Sequence, residues 1–146
     1  MQDLTHLEDA LDLLQYQVKI LAEALPHECN RMAHLIIDRG WNKLDVDAAE
    51  EIFERYDNNC ERGIQIKNNA IEHEFKDRFR INYQTFKRVI LAFYEESQFL
   101  HVCIQFARLN PVAEFRHIIN ENLEYIPPKP KRTKAKKTSS TKRKSQ

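Results

Sequence analysis

An all-α fold is what this sequence predicts, and three observations predict it. Apolar residues recur at three- and four-residue spacing along most of the chain, only two of the 146 residues are glycine, and the five prolines fall between the apolar runs rather than inside them. A sheet protein would alternate with period two and place more Gly and Pro in its turns. The expected architecture is a compact bundle of about six to seven short helices over residues 1–126. A disordered, Lys/Arg-rich tail over residues 127–146 follows it.

The first helix has the clearest pattern. Leu4, Leu7, Leu11, Leu14, Val18, Leu21 and Leu25 are spaced 3, 4, 3, 4, 3, 4, a heptad seam of the kind that pairs helices. Leu13, Tyr16 and Ile20 lie off that seam, so the helix has apolar surface for its own domain and for a partner. Leu4, Leu7, Leu11, Leu14, Val18 and Leu21 are therefore the candidate self-association residues, and a homodimer is expected. Thr5 followed by Glu8 reads as a capping box, and Pro26 as the stop.

A second helix is expected over about residues 27–39, heavily buried through Leu35-Ile36-Ile37 and closed by Gly40 in a left-handed conformation. Trp41 would then cover the core from a loop. Asp45 or Asp47 is the expected cap of a third helix ending near Glu61. Ile64-Gln65-Ile66 alternates briefly and reads as extended. Helices over about residues 68–80, 83–96 and 99–109 follow from the spacing of Ile71, Phe75 and Phe79, of Phe86, Val89, Ile90 and Phe93, and of Val102, Cys103 and Phe106. Ser97 is a candidate cap between the last two. Asn110-Pro111 reads as the start of a final helix carrying Phe115, Ile118, Ile119 and Leu123.

Charge divides the chain more sharply than its net +1 suggests. Residues 127–146 hold nine cations and no acid: Lys129, Lys131, Arg132, Lys134, Lys136, Lys137, Lys142, Arg143 and Lys144. Residues 1–126 hold 14 Lys and Arg against 22 Asp and Glu, a net −8. A like-charged segment poor in apolar residues buries too little to offset its ordering entropy, so the tail should be disordered in isolation. Its nine cations are candidate nucleic-acid contacts, because Lys and Arg neutralising phosphates release counterions with little sequence preference. No aromatic residue interleaves them, which argues against base stacking. Docking to an acidic protein surface is the rival use.

The body resembles the YhaI-like family, small all-helical bacterial proteins of unassigned function. The likeness runs through His6-Leu7-Glu8 and the following leucines, Leu35-Ile36-Ile37-Asp38-Arg39-Gly40, Glu51-Ile52 and Gly63-Ile64-Gln65-Ile66. It is closest at Ala92-Phe93-Tyr94-Glu95 with Phe99 and Phe106, and it spans about residues 4–109. The resemblance implies a helical fold and transfers no catalytic residue. The last helix and the basic tail extend beyond the family's pattern.

Enzyme chemistry finds little footing. There is no G-x-S-x-G, no H-E-x-x-H and no Gly-rich phosphate loop. His27, Cys29 and His34 are the tightest ligand-type cluster, yet Cys29 is rotated about 200° from His27 on a helix, so no metal site and no cofactor are expected. His73 with Asp77 reads as a solvated helix face. Cys29, Cys60 and Cys103 form no C-x-x-C pair and read as small apolar side chains. No run approaches the roughly 20 apolar residues of a membrane span. Met1-Gln2-Asp3-Leu4 lacks the pattern of a signal peptide, so a cytoplasmic protein without a membrane partner is expected. The functional expectation is a non-catalytic, self-associating helical module whose tail contacts nucleic acid. The alternative is an adaptor that binds a protein partner through its acidic body, with the tail as a docking or localisation element.

Overall fold

The computed structural model describes residues 2–26, 29–67 and 69–130, with side chains from Leu4 onward. Among them are seven α-helices and no strand: α1 (Gln2–Ala24), α2 (Arg31–Arg39), α3 (Lys43–Glu61), α4 (Ala70–Phe79), α5 (Tyr83–Glu95), α6 (Leu100–Leu109) and α7 (Arg116–Glu121), with a 3₁₀ turn at Ala113–Phe115 before α7. The fold is thus the helical bundle that the periodicity predicts, and α5 is its centre, packed against α2, α4 and α6.

Phenylalanine dominates the core. Phe53, Phe75, Phe86, Phe93, Phe106 and Phe115 are all fully buried. Their rings form a continuous chain from Phe93 through Phe53, Phe75, Phe86 and Phe106 to Phe115, with successive centroids 4.5, 5.3, 5.2, 5.1 and 6.0 Å apart. Edge and tilted contacts of this kind add about 0.5–1.5 kcal/mol per pair beyond area burial. The same residues come from α3, α4, α5, α6 and the 3₁₀ turn, so one aromatic cluster ties five elements together.

Two helices cap themselves and two borrow a cap. Asn42 accepts the Asp45 N–H at 2.9 Å while the Asp45 side chain accepts the Asn42 N–H at 3.0 Å, a capping box at the start of α3. Asn82 accepts the Thr85 N–H at 2.9 Å and starts α5. By contrast, Asn30 makes no side-chain cap to α2, and Glu95 of α5 accepts the Arg31 N–H at 3.1 Å in its place. Phe99, at φ 52°, has no side-chain acceptor to offer α6, and Asp57 of α3 accepts the Val102 N–H at 3.2 Å. Both acceptors are carboxylates at a helix N-terminus, where free N–H groups and the helix dipole favour negative charge.

These caps correct several local expectations. Helix α1 already includes Gln2, so Thr5 lies inside the helix and caps nothing. Helix α2 starts at Arg31, where Glu95 stops its orphan amides, rather than near residue 27. The cap of α3 is Asn42, with Asp45 as the reciprocal partner and Asp47 paired to Lys43 at 3.2 Å. Ser97 is at φ 58° and caps no helix. Residues 64–67 lie in neither helix nor strand, and the Ile66 N–H bonds to the Gln105 Oε1 at 3.1 Å. The final helix starts at Arg116, not Asn110, because the 3₁₀ turn is what carries Phe115 into the core. The Glu114 carboxylate on that turn is held by the buried Lys87 ammonium at 2.8 Å.

The chain leaves α7 along the outside of α6 and α3. Arg108 donates to the carbonyls of Asn122 at 2.9 Å and Tyr125 at 3.0 Å, and its guanidinium lies over the Tyr125 ring. The Tyr125 hydroxyl is 2.7 Å from His101 Nδ1 and accepts from Gln105 Nε2 at 3.1 Å. Pro127 and Pro128 are half-buried. Beyond them the Lys129–Pro130 backbone crosses Gly63 so closely that a Cβ there would overlap it, and Gly63 has φ +90°. The turn after α3 therefore requires glycine on two counts.

Candidate functional site

Helix α1 is the feature that the rest of the fold leaves unexplained. It packs on α2 alone among the other elements with appreciable contact, and from Leu4 to Leu21 every residue is exposed. All six seam residues are involved: Leu4, Leu7, Leu11, Leu14, Val18 and Leu21 are between 44% and 67% exposed. Leu13, Tyr16 and Ile20 on the flank are exposed as well. Among the described side chains of the helix Ala22 alone is buried, and His34 Nε2 donates to the Leu25 carbonyl at 3.1 Å just beyond it. The helix is thus pinned to the body at its C-terminal end and open along its length.

The splay between α1 and α2 opens a groove of about 540 Å³. Leu11, Leu14 and Val18 form one wall, and Ile36, Ile37 and Trp41 form the other. The far side of Trp41 is anchored, its ring stacked obliquely on Phe79 with centroids 4.9 Å apart. This wall went unread in the sequence, where Leu35-Ile36-Ile37 looks uniformly buried. Leu35 is fully buried, but Ile36 and Ile37 are only half-buried. The available signal was Trp41, a large apolar residue placed directly after a Gly-closed helix. A second, more polar cleft of about 790 Å³ continues the gap past Ala22 and His34 toward Asp38, Arg39 and Gly40.

No family model, no curated protein and no solved structure matches this chain. Ten large apolar side chains between Leu4 and Leu25 are exposed on this one helical hairpin. Scattered exposed leucines are ordinary, whereas a contiguous apolar face marks an interaction site.

The nine tail cations are placed less fully. Lys129 is exposed beside the Gly63 turn. Lys131, Arg132, Lys134, Lys136, Lys137, Lys142, Arg143 and Lys144 lie outside the described residues.

The ligand-type clusters do not assemble into a centre. Among the described residues no group of three or more His, Cys, Asp or Glu side chains is placed to hold a metal. His27 lies outside the described residues, Cys29 is exposed and His34 is buried on the Leu25 carbonyl. His73 is exposed, and the neighbouring Glu74 is committed elsewhere: it takes a two-pronged ion pair from Arg55 and the Tyr56 hydroxyl at 3.1 Å. The Arg55 hydrogen bonds hold the Glu74 carboxyl below the usual glutamate range. Burial pushes the Cys60 thiol up to about 11 and raises Cys103 further still, so neither is a nucleophile near neutral pH. No described helix is long and apolar enough to cross a membrane.

Proposed function

We propose that the protein is a non-catalytic, self-associating helical module that presents a cationic C-terminal segment to polyanions, nucleic acid foremost. The single observation that supports self-association best is the unbroken exposure of the α1 seam, Leu4 to Leu21. Burying the exposed part of these six heptad residues would gain on the order of 1 kcal/mol each, and a second seam is the natural cover. Support for the polyanion half is electrostatic: nine cations without an acid in residues 127–146, set against the −8 of residues 1–126. Pairing two chains puts two cationic segments on one particle, which raises their effective concentration on a polymer of phosphates.

Membership of the YhaI-like proteins is part of the same proposal and adds no activity to it. Adaptor use of the same hairpin is the second reading, since the groove beside Trp41 would also accept a foreign amphipathic helix. Sedimentation of the full chain, alone and with random-sequence duplex at low and moderate salt, tests both halves. A dimer that binds the duplex in a salt-dependent manner is expected. A clean monomer defeats the first half, and equal binding by a chain ending at Pro130 defeats the second.

A further inference from the structure

The way α1 is attached to the body, and the distribution of charge along it, bear on how two copies would meet. Written as heptads, the seam places Leu4, Leu11 and Val18 at one core position and Leu7, Leu14 and Leu21 at the other. Antiparallel helices pair unlike core positions with each other. One register uses all six residues: Leu4 of one copy opposite Leu21 of the other, Leu7 opposite Val18, and Leu11 opposite Leu14. Its centre lies between Leu11 and Leu14, in the part of the seam that forms one wall of the α1–α2 groove. We infer that the groove is filled by α1 of a second copy, running antiparallel in this register. The inference rests on the self-association proposed above and adds its occupant and direction.

Charge selects the direction. Glu8, Asp9 and Asp12 lie in the N-terminal half of α1, and Lys19 lies in the C-terminal half beside Glu23. Parallel pairing would gather six of these carboxylates within two turns at one end. In this antiparallel register Glu8 and Asp9 of the two copies move apart and lie near the level of the other copy's Lys19, the two Asp12 residues stay level at the centre, and the helix dipoles oppose rather than add. The bodies favour the same direction. Each is joined to the C-terminal end of α1 through Ala22, Leu25 and His34, and residues 25–126 hold 13 Lys and Arg against 17 Asp and Glu, a net −4. Parallel helices would press two anionic bodies together at one end, whereas antiparallel helices carry them to opposite ends.

Chemistry supports this occupant over a lipid surface. Interfacial membrane helices display Lys and Arg on the polar face, but the polar arc of α1 carries Glu8, Asp9, Asp12 and Glu23 against Lys19.

The test uses the full chain with Cys29→Ser, which removes the exposed native thiol. Leu7→Cys and Val18→Cys are made as separate proteins, both at positions exposed in the single chain. Mixed and oxidised, they should give the Leu7→Cys/Val18→Cys heterodisulfide in at least tenfold excess over the Leu7→Cys homodisulfide. A predominant Leu7→Cys homodisulfide in a dimeric protein overturns the direction and leaves self-association standing. A monomer by sedimentation overturns both. Spin labels on Leu7→Cys give an independent reading without oxidation. Eleven residues of axial offset predict labels about 16 Å or more apart in the antiparallel register, while a parallel pair holds them about 10 Å apart.

Discussion

Asp57 on α3 accepts the backbone N–H of Val102 at the start of α6, at 3.2 Å and across 45 positions of sequence. Burial raises the Asp57 carboxyl above the ordinary aspartate range despite this bond. A group whose folded pKa lies above its unfolded value destabilises the fold once ionised, so its contribution to stability improves as pH falls through the folded value. Asp57→Asn keeps an acceptor and removes the charge; it should be nearly neutral at pH 7 and lose that pH dependence. Asp57→Ala should cost about 1–2 kcal/mol through the lost cap. Denaturant melts from pH 4 to 8 check both, and an Ala variant as stable as the Asn variant would show that the bond is not a cap.

The Arg55–Glu74 pair should behave in the opposite sense. Its hydrogen bonds lower the Glu74 carboxyl, so the stabilisation is present above the unfolded glutamate value and is lost as pH falls through the folded one. Because both side chains are partly exposed, Glu74→Gln should cost no more than about 1 kcal/mol at neutral pH. The cost should vanish in strong acid, as followed by urea midpoints.

Leu11→Asp with Leu14→Asp should convert the proposed dimer to monomer without unfolding the body. Both side chains are more than half exposed in the single chain, and substitutions at such positions usually stay within about 0.5 kcal/mol of neutral. Sedimentation velocity should show the change in mass, and cooperative thermal unfolding should persist. Loss of cooperativity would mean that the seam packs inside one chain.

Gly63→Ala should loosen the C-terminal segment. At φ +90° an alanine is strained, and its Cβ would meet the Pro130 backbone. A loss of about 1 kcal/mol or more is expected, together with faster chymotrypsin cleavage after Tyr125. Cleavage at the native rate would show that the segment is held from Tyr125 rather than from Gly63.

Ending the chain at Pro130 removes residues 131–146 and eight of the nine tail cations. If six charges engage duplex DNA, the full chain should show a log–log salt slope of about −5. The truncated chain should bind weakly with a slope near zero. Fluorescence titrations at several salt concentrations give both slopes.

The repeating spacing of apolar residues made the helices legible, because burial on one face imposes period 3.6 wherever the helix sits. Leu35, Ile52, Phe75, Phe93 and Phe106 were readable as core for the same reason. Helix starts were harder. Asn42 and Asn82 act locally, but Glu95 and Asp57 cap helices 64 and 45 residues away, a distance that local spacing cannot reveal. The α1 seam was legible as a repeat of leucines. Its isolation from its own domain was not, since a heptad looks the same whether it faces its own chain or another. The Trp41 wall of the groove was hidden because it exists only through the angle between α1 and α2.

The burial of two cysteines leaves the protein with a ready-made spectroscopic handle. Cys60 and Cys103 lie in the interior with their thiols shifted upward, and Cys29 alone is exposed, in the link between the hairpin helices. A maleimide reagent offered to the unmodified chain near pH 7 should attach once per molecule, at that link. One fluorophore per chain, installed without mutagenesis, would then report how the hairpin moves.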